Sequence, residues 1–92
     1  MNLGDTLTVA NRLLTGDRNA AYGNPAETYE RAAQIASGIL GVPVHAEDVL
    51  WVMVAVKLAR EVRGHKPDNL VDLAAYCDIM NCHFENHAAT NG

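Results

Sequence analysis

Aromatic residues are scarce in this chain. One tryptophan, one phenylalanine and three tyrosines make up 5% of 92 residues, in a sequence that is 49% hydrophobic. An interior with so little ring surface has to be filled by Ala, Val, Leu, Ile and Met, the composition of packed helices. Cysteine is equally sparse. Cys77 and Cys82 are the only two, and their spacing turns them about 140° apart on a helix, so no disulfide framework is expected. Serine occurs once, as Ser37. Serine hydrolase, cysteine protease and phosphate-loop patterns are missing, and nucleophilic catalysis has no signature here. The longest apolar run, residues 49–56, is less than half of the roughly 20 residues a helix needs to cross a bilayer. Residues 1–5 carry no basic stretch leading into an apolar one, so a cytoplasmic protein without a membrane span is expected.

Basic charge is also in deficit: 7 Lys and Arg against 11 Asp and Glu leave a net charge of −4. Such a field repels a phosphate backbone, which disfavours nucleic acid as a partner. It does not bar a small anion from a local basic cluster. The length allows one hydrophobic core and no second, so a single helical domain over residues 1–86 is expected, with residues 87–92 as a frayed tail.

What is present reads as about four helices. Leu7, Ala10, Leu13 and Leu14 recur at helical spacing over residues 6–15, capped by Asp5 or Thr6 and stopped by Gly16. Residues 16–24 combine glycine, asparagine and charge, which is loop chemistry. Asn24, Pro25 and Glu27 then supply a cap, a first-turn proline and a reciprocal acceptor. The helix they open carries Tyr29, Ala32, Ala33, Ala36, Ile39 and Leu40 on one stripe and ends at Gly41 and Pro43. A third helix begins after Val44, with Glu47 and Asp48 at its positive end and Lys57, Arg60 and Arg63 toward its negative end. Residues 49–56 are apolar on every face, so this helix needs partner surface, and homo-oligomerisation is expected from it. A buried strand would find no second strand to pair with, and Leu58, Ala59 and Val62 continue the helical pattern. Asp68 or Asn69 caps a fourth helix through about Phe84, with Leu70, Leu73, Ala74, Cys77 and Met80 inward. The expected fold is all-α: a compact bundle around a hairpin of the third and fourth helices, covered by the second, with the first docked as an arm.

Folding that hairpin about residues 64–67 sets Arg60 level with Asp72, and Lys57 level with Ala74. Lys57 and Arg60 could hold phosphate oxygens while Asp68 and Asp72, with Glu27 or Glu30, coordinate magnesium. The plainer reading of the same residues is a salt bridge from Arg60 to Asp72, with Asp68 as a cap and Tyr76 as packing. Arg18 and Tyr22 in the loop suit an anion and a ring, or else pin the loop to the bundle. Cys77, Cys82, His83 and His87 have a zinc-like look, but Cys77 falls on the expected core stripe and the histidines near a fraying end, so zinc is not expected.

The joint pattern Gly16-Asp17-Arg18-Asn19, Tyr22-Gly23, Lys57-Leu58-Ala59-Arg60, Lys66-Pro67-Asp68, Asp72 and Tyr76 resembles a small bacteriophage-encoded helical family of unknown function. That family is distantly similar to MazG-like nucleoside triphosphate pyrophosphohydrolases, all-helical enzymes in which clustered Glu and Asp residues hold magnesium. Glu27 and Glu30 correspond loosely to the first part of their acidic pattern, and Asp68 and Asp72 to the second at a spacing of four rather than three. The resemblance implies metal ligands among Glu27, Glu30 and Asp72, catalytic roles for Asp68, Asp72 and Lys57, and nucleotide contacts from Arg18, Tyr22, Lys57, Arg60 and Tyr76. It also implies the cytoplasm of an infected or lysogenic bacterial host. Three functions fit: a magnesium-dependent pyrophosphohydrolase, a non-catalytic nucleotide-binding or sequestering oligomer, and a phage interaction protein acting on a host protein.

Overall fold

The computed structural model describes residues 1–16 and 25–91, with side chains through residue 86. Among the described residues there are four helices and no strand: α1 (Asp5–Thr15), α2 (Pro25–Leu40), α3 (Ala46–Arg63) and α4 (Pro67–Asn91). The all-α bundle expected from composition is the fold. Beyond Gly16, the expected loop at residues 16–24, with the Asn24 cap, Arg18 and Tyr22, lies outside the described residues.

Each helix end has a local cause. Gly4 turns the chain into α1 with φ at 89°, a geometry that costs other residues more, and Asp5 Oδ2 accepts the Asn2 N–H at 2.7 Å. Gly16 ends α1 by donating its N–H to the Arg12 carbonyl at 2.8 Å. Gly41, with φ at 72°, ends α2 and donates to the Ser37 carbonyl at 2.9 Å. The one serine then fastens the connection to α3: Ser37 Oγ accepts from the Val44 N–H at 2.9 Å and donates to the Ala33 carbonyl at 2.8 Å. At the start of α3, Asp48 Oδ2 accepts the His45 N–H at 2.9 Å, the use of an acidic first turn that dipole reasoning anticipates. Glu61 organises the turn into α4, accepting from the Lys66 N–H at 2.9 Å and bonding His65 Nδ1. α4 continues to Asn91, past the expected end near Phe84, because no Gly or Pro intervenes before Gly92.

α4 is the helix the others embrace. It packs along α3 on one side and α1 on the other, while α2 lies mainly on α3. Ala10, Val71 and Ala75 form the α1–α4 core, with Val9, Leu13, Leu14 and Ala74 around them. Two adjacent contact faces correct the expected inward stripe of α4: Leu70 and Cys77 are exposed, and Val71 and Ala75 take the buried positions. Leu70, Cys77, Asn81 and Phe84 share the strip left to solvent. α3 is not walled in within one copy. Leu50 and Ala46 are buried against the bundle, but Trp51, Val52, Leu58 and Val62 are exposed.

Candidate functional site

The hairpin of α3 and α4 carries, beyond the Asn69–Glu61 contact at its turn, two polar contacts in one antiparallel register. Lys57 Nζ lies 2.7 Å from Asp72 Oδ2, with the side chains 14% and 29% exposed. Ten residues back along α3 and eleven on along α4, His83 Nε2 lies 2.9 Å from Glu47 Oε2, and the histidine side chain is 8% exposed. The bond from His83 is the main reason that the Glu47 carboxyl is held below its ordinary value.

The sequence predicts Arg60 as the partner of Asp72; the structure places Lys57 there. Glu61 ties the turn so closely that α4 starts at Pro67, which centres the hairpin nearer Gly64. Arg60 then falls on an exposed side of α3. Tyr76, one turn beyond Asp72, meets the ring of Tyr29 on α2 edge-on, with centroids 6.1 Å apart and planes at 73°. The structure thus joins Lys57 to Asp72, with Tyr76 one turn further along α4, and sets Tyr29, which pattern reading assigned only to packing, against Tyr76. A pair of rings at these angles is an edge-to-face packing contact.

The carboxylates expected to hold a metal are not gathered. Glu27 is exposed on the first turn of α2, and Asp68 is exposed at the start of α4. Asp72 is committed to Lys57, and Glu30 lines a groove with Ser37, His45, Glu47 and His83, of about 440 Å³. Among the described residues no group of three or more His, Cys, Asp or Glu could hold a metal ion. His83 itself, set aside with Cys77 and Cys82 in the sequence, faces the start of α3 while both cysteines are exposed and free. Its partner was legible only through register: a hairpin that joins Lys57 to Asp72 also brings Glu47 opposite His83.

A family model described as Domain of unknown function (DUF6378) matches residues 5–83, an interval that contains all four helix cores and both polar contacts. The chain belongs to this family. The DUF6378 chain is 34% identical over 80 residues to the Gene 55 protein of Mycobacterium phage D29, covering 86% of this chain and 53% of the relative. It is 34% identical over 76 residues to the Gene 55 protein of Mycobacterium phage L5, covering 80% of this chain and 49% of the relative. The chain therefore spans about half the length of these relatives, and the phage resemblance read from its motifs stands. No solved structure matches it. No helix among the described residues is long and apolar enough to cross a membrane.

Proposed function

We propose that this DUF6378 domain binds a nucleotide on the face formed by Lys57, Asp72, Tyr76 and Tyr29. The observation that carries the reading is the Lys57–Asp72 pair, largely shielded from solvent and one helical turn from Tyr76, whose ring packs on Tyr29. An ammonium held by a single carboxylate keeps donors for phosphate oxygens, and a neighbouring aromatic edge suits a base. Arg60, exposed one turn along α3, adds a second cation within reach of a phosphate chain. Arg18 and Tyr22 belong to the same proposal through the motif they share with Lys57 and Asp72.

Hydrolysis of the MazG-like kind would be the catalytic form of this reading, with magnesium carried by carboxylates and the nucleotide cleaved between its first and second phosphates. It needs Glu27, Glu30 and Asp72 around one ion, and in the present arrangement they do not fit one, since Asp72 is occupied by Lys57 and Glu27 is exposed. Binding without turnover is therefore the form that we favour. A thermal-shift screen over nucleotides, with magnesium or with EDTA, tests it. A ligand at about 100 times its dissociation constant adds about 2.7 kcal/mol to stability and raises Tm by roughly 15 °C, and Asp72→Ala should remove that rise. Pyrophosphate release only when magnesium is present would replace binding by hydrolysis. No shift with any nucleotide would end both forms.

A second reading, association, is favoured by the outer face of α3: Trp51 is 56%, Val52 60% and Val62 88% exposed. We propose that the chain works as an assembled module, through that face.

A further inference from the structure

The buried apolar set of one copy is meagre. Among the described residues it consists of four alanines, at positions 10, 33, 46 and 75, together with Leu50, Val71 and Met80. Apart from Leu50, the larger side chains of α3 lie outside it. Trp51, Ala55, Leu58 and Val62 follow one another at intervals of four, three and four, and all are exposed. Val52 and Ala59 widen the same stripe, also exposed. At 100° per residue these six positions fall within an arc of about 120° centred on Ala55, the width of a helix seam that buries itself against another helix.

The order of residues along that seam is self-complementary. Resting on the association proposed above, we infer that the partner is a second copy of this chain, with the two α3 helices packed antiparallel across a two-fold axis at Ala55. Under that operation position 48 lies level with 62, 51 with 59, and 52 with 58. Trp51, the largest side chain of the seam, then sits opposite the small Ala59 and against Leu58 and Val62 of the second copy. Val52 faces Ala59 and Leu58 of the second copy. Ala55 meets its own copy, and a methyl at the crossing lets the backbones approach closely. Charge follows the same operation. Asp48, exposed in the first turn of α3, comes beside the exposed Arg63 of the last turn, twice by symmetry. A parallel pair would instead stack Asp48 on Asp48 and Arg63 on Arg63.

The remaining length of the relatives is the competing cover, since this chain spans about half of them. What favours the second copy is that this chain itself carries the complement: in an antiparallel self-pair Asp48 answers Arg63 and Trp51 meets Ala59.

Sedimentation of the 92-residue chain tests the association, and disulfide trapping tests its geometry. The wild-type chain should sediment as a dimer at about 100 µM, and Leu58→Asp should weaken dimerisation by at least about tenfold. Because Leu58 is 48% exposed in one copy, the variant should keep its helical circular dichroism. If it loses fold instead, the charge swap decides: Asp48→Arg alone weakens the dimer, and adding Arg63→Asp restores it. In a background lacking Cys77 and Cys82, a mixture of Asp48→Cys and Val62→Cys chains oxidised with copper phenanthroline should give the mixed dimer in preference to Asp48→Cys self-dimers. A wild-type monomer at that concentration overturns both the association and this pairing. A dimer that survives Leu58→Asp, or that traps Asp48→Cys with itself, leaves the association standing and overturns the antiparallel pair.

Discussion

Lys57 and Asp72 do two jobs at the scale of single residues, and the two can be separated. Their contact at 2.7 Å joins α3 to α4 in a half-buried setting, between the weak exposed pairs and the costly buried ones. Lys57→Ala and Asp72→Ala should each lower stability by about 1–2 kcal/mol in urea titrations, and the double variant should lose less than the sum, since the contact is removed only once. If the nucleotide proposal holds, Lys57→Arg restores part of the stability but not the ligand-induced rise in Tm, because a planar fork does not reproduce a point charge. The Glu47–His83 contact has a different signature. Its hydrogen bond holds Glu47 below an ordinary value of 4.5, and His65 does the same for Glu61. Carboxylates that are more acidic in the folded chain stabilise it above that value and lose the effect as the pH falls through the lowered one. The urea midpoint should therefore be level near neutrality and decline below about pH 4.5. Glu47→Gln should flatten the acid decline; an unchanged acid limb would show that the contact contributes nothing to stability.

At the scale of elements, ends matter as much as packing. A Cβ on residue 16 would lie 2.6 Å from the Arg12 carbonyl oxygen that closes α1, and that atom is backbone, which cannot swing away. Gly16→Ala should cost about 1–3 kcal/mol, read as a fall in Tm, whereas alanine at Gly64, with open space around it, should change little. The four helices could be read from the sequence because most of their start and stop signals are local: Gly16, Pro25, Gly41 and Asp48 act within a turn of themselves, whereas α4 begins at Pro67, ahead of the expected cap at Asp68 or Asn69. The inward face of α4 could not, because it is set by two neighbours at once. A single stripe fitted to one partner put Cys77 inside, where α1 and α3 together leave it exposed. The ion pair was missed for a related reason. A turn organised by Glu61 moves the hairpin register, exchanging Arg60 for Lys57 opposite Asp72. Once that register is known, Glu47 and His83 follow from it. The gathering of Glu27, Glu30 and Asp72 depended on the packing of α2 against α4, which no local signal specifies, and the structure keeps them apart.

The whole molecule is loosely built for its length. Its radius of gyration is 14.4 Å, against about 12 Å for a compact domain of this size. Among the described residues, four of the seven buried apolar ones are alanines, which contribute little transfer free energy each. Side chains that would normally fill such a core, Trp51, Leu58 and Val62 among them, lie on the surface of α3. A domain arranged in this way gains by pairing the surface that a single core leaves over, so its folding and its association should be coupled. Coupled equilibria carry a simple mark: species that assemble only when folded melt at a temperature that rises with protein concentration. Melting curves recorded over a hundredfold range of concentration should shift upward by several degrees for the wild-type chain. For Leu58→Asp the curves should shift less and lie nearer the low-concentration limit of the wild type, because the seam is weakened while the α1–α4 core of Ala10, Val71 and Ala75 is untouched. A wild-type Tm that is independent of concentration, in a chain that sediments as a monomer, would mean that these alanines and three larger side chains hold the fold unaided.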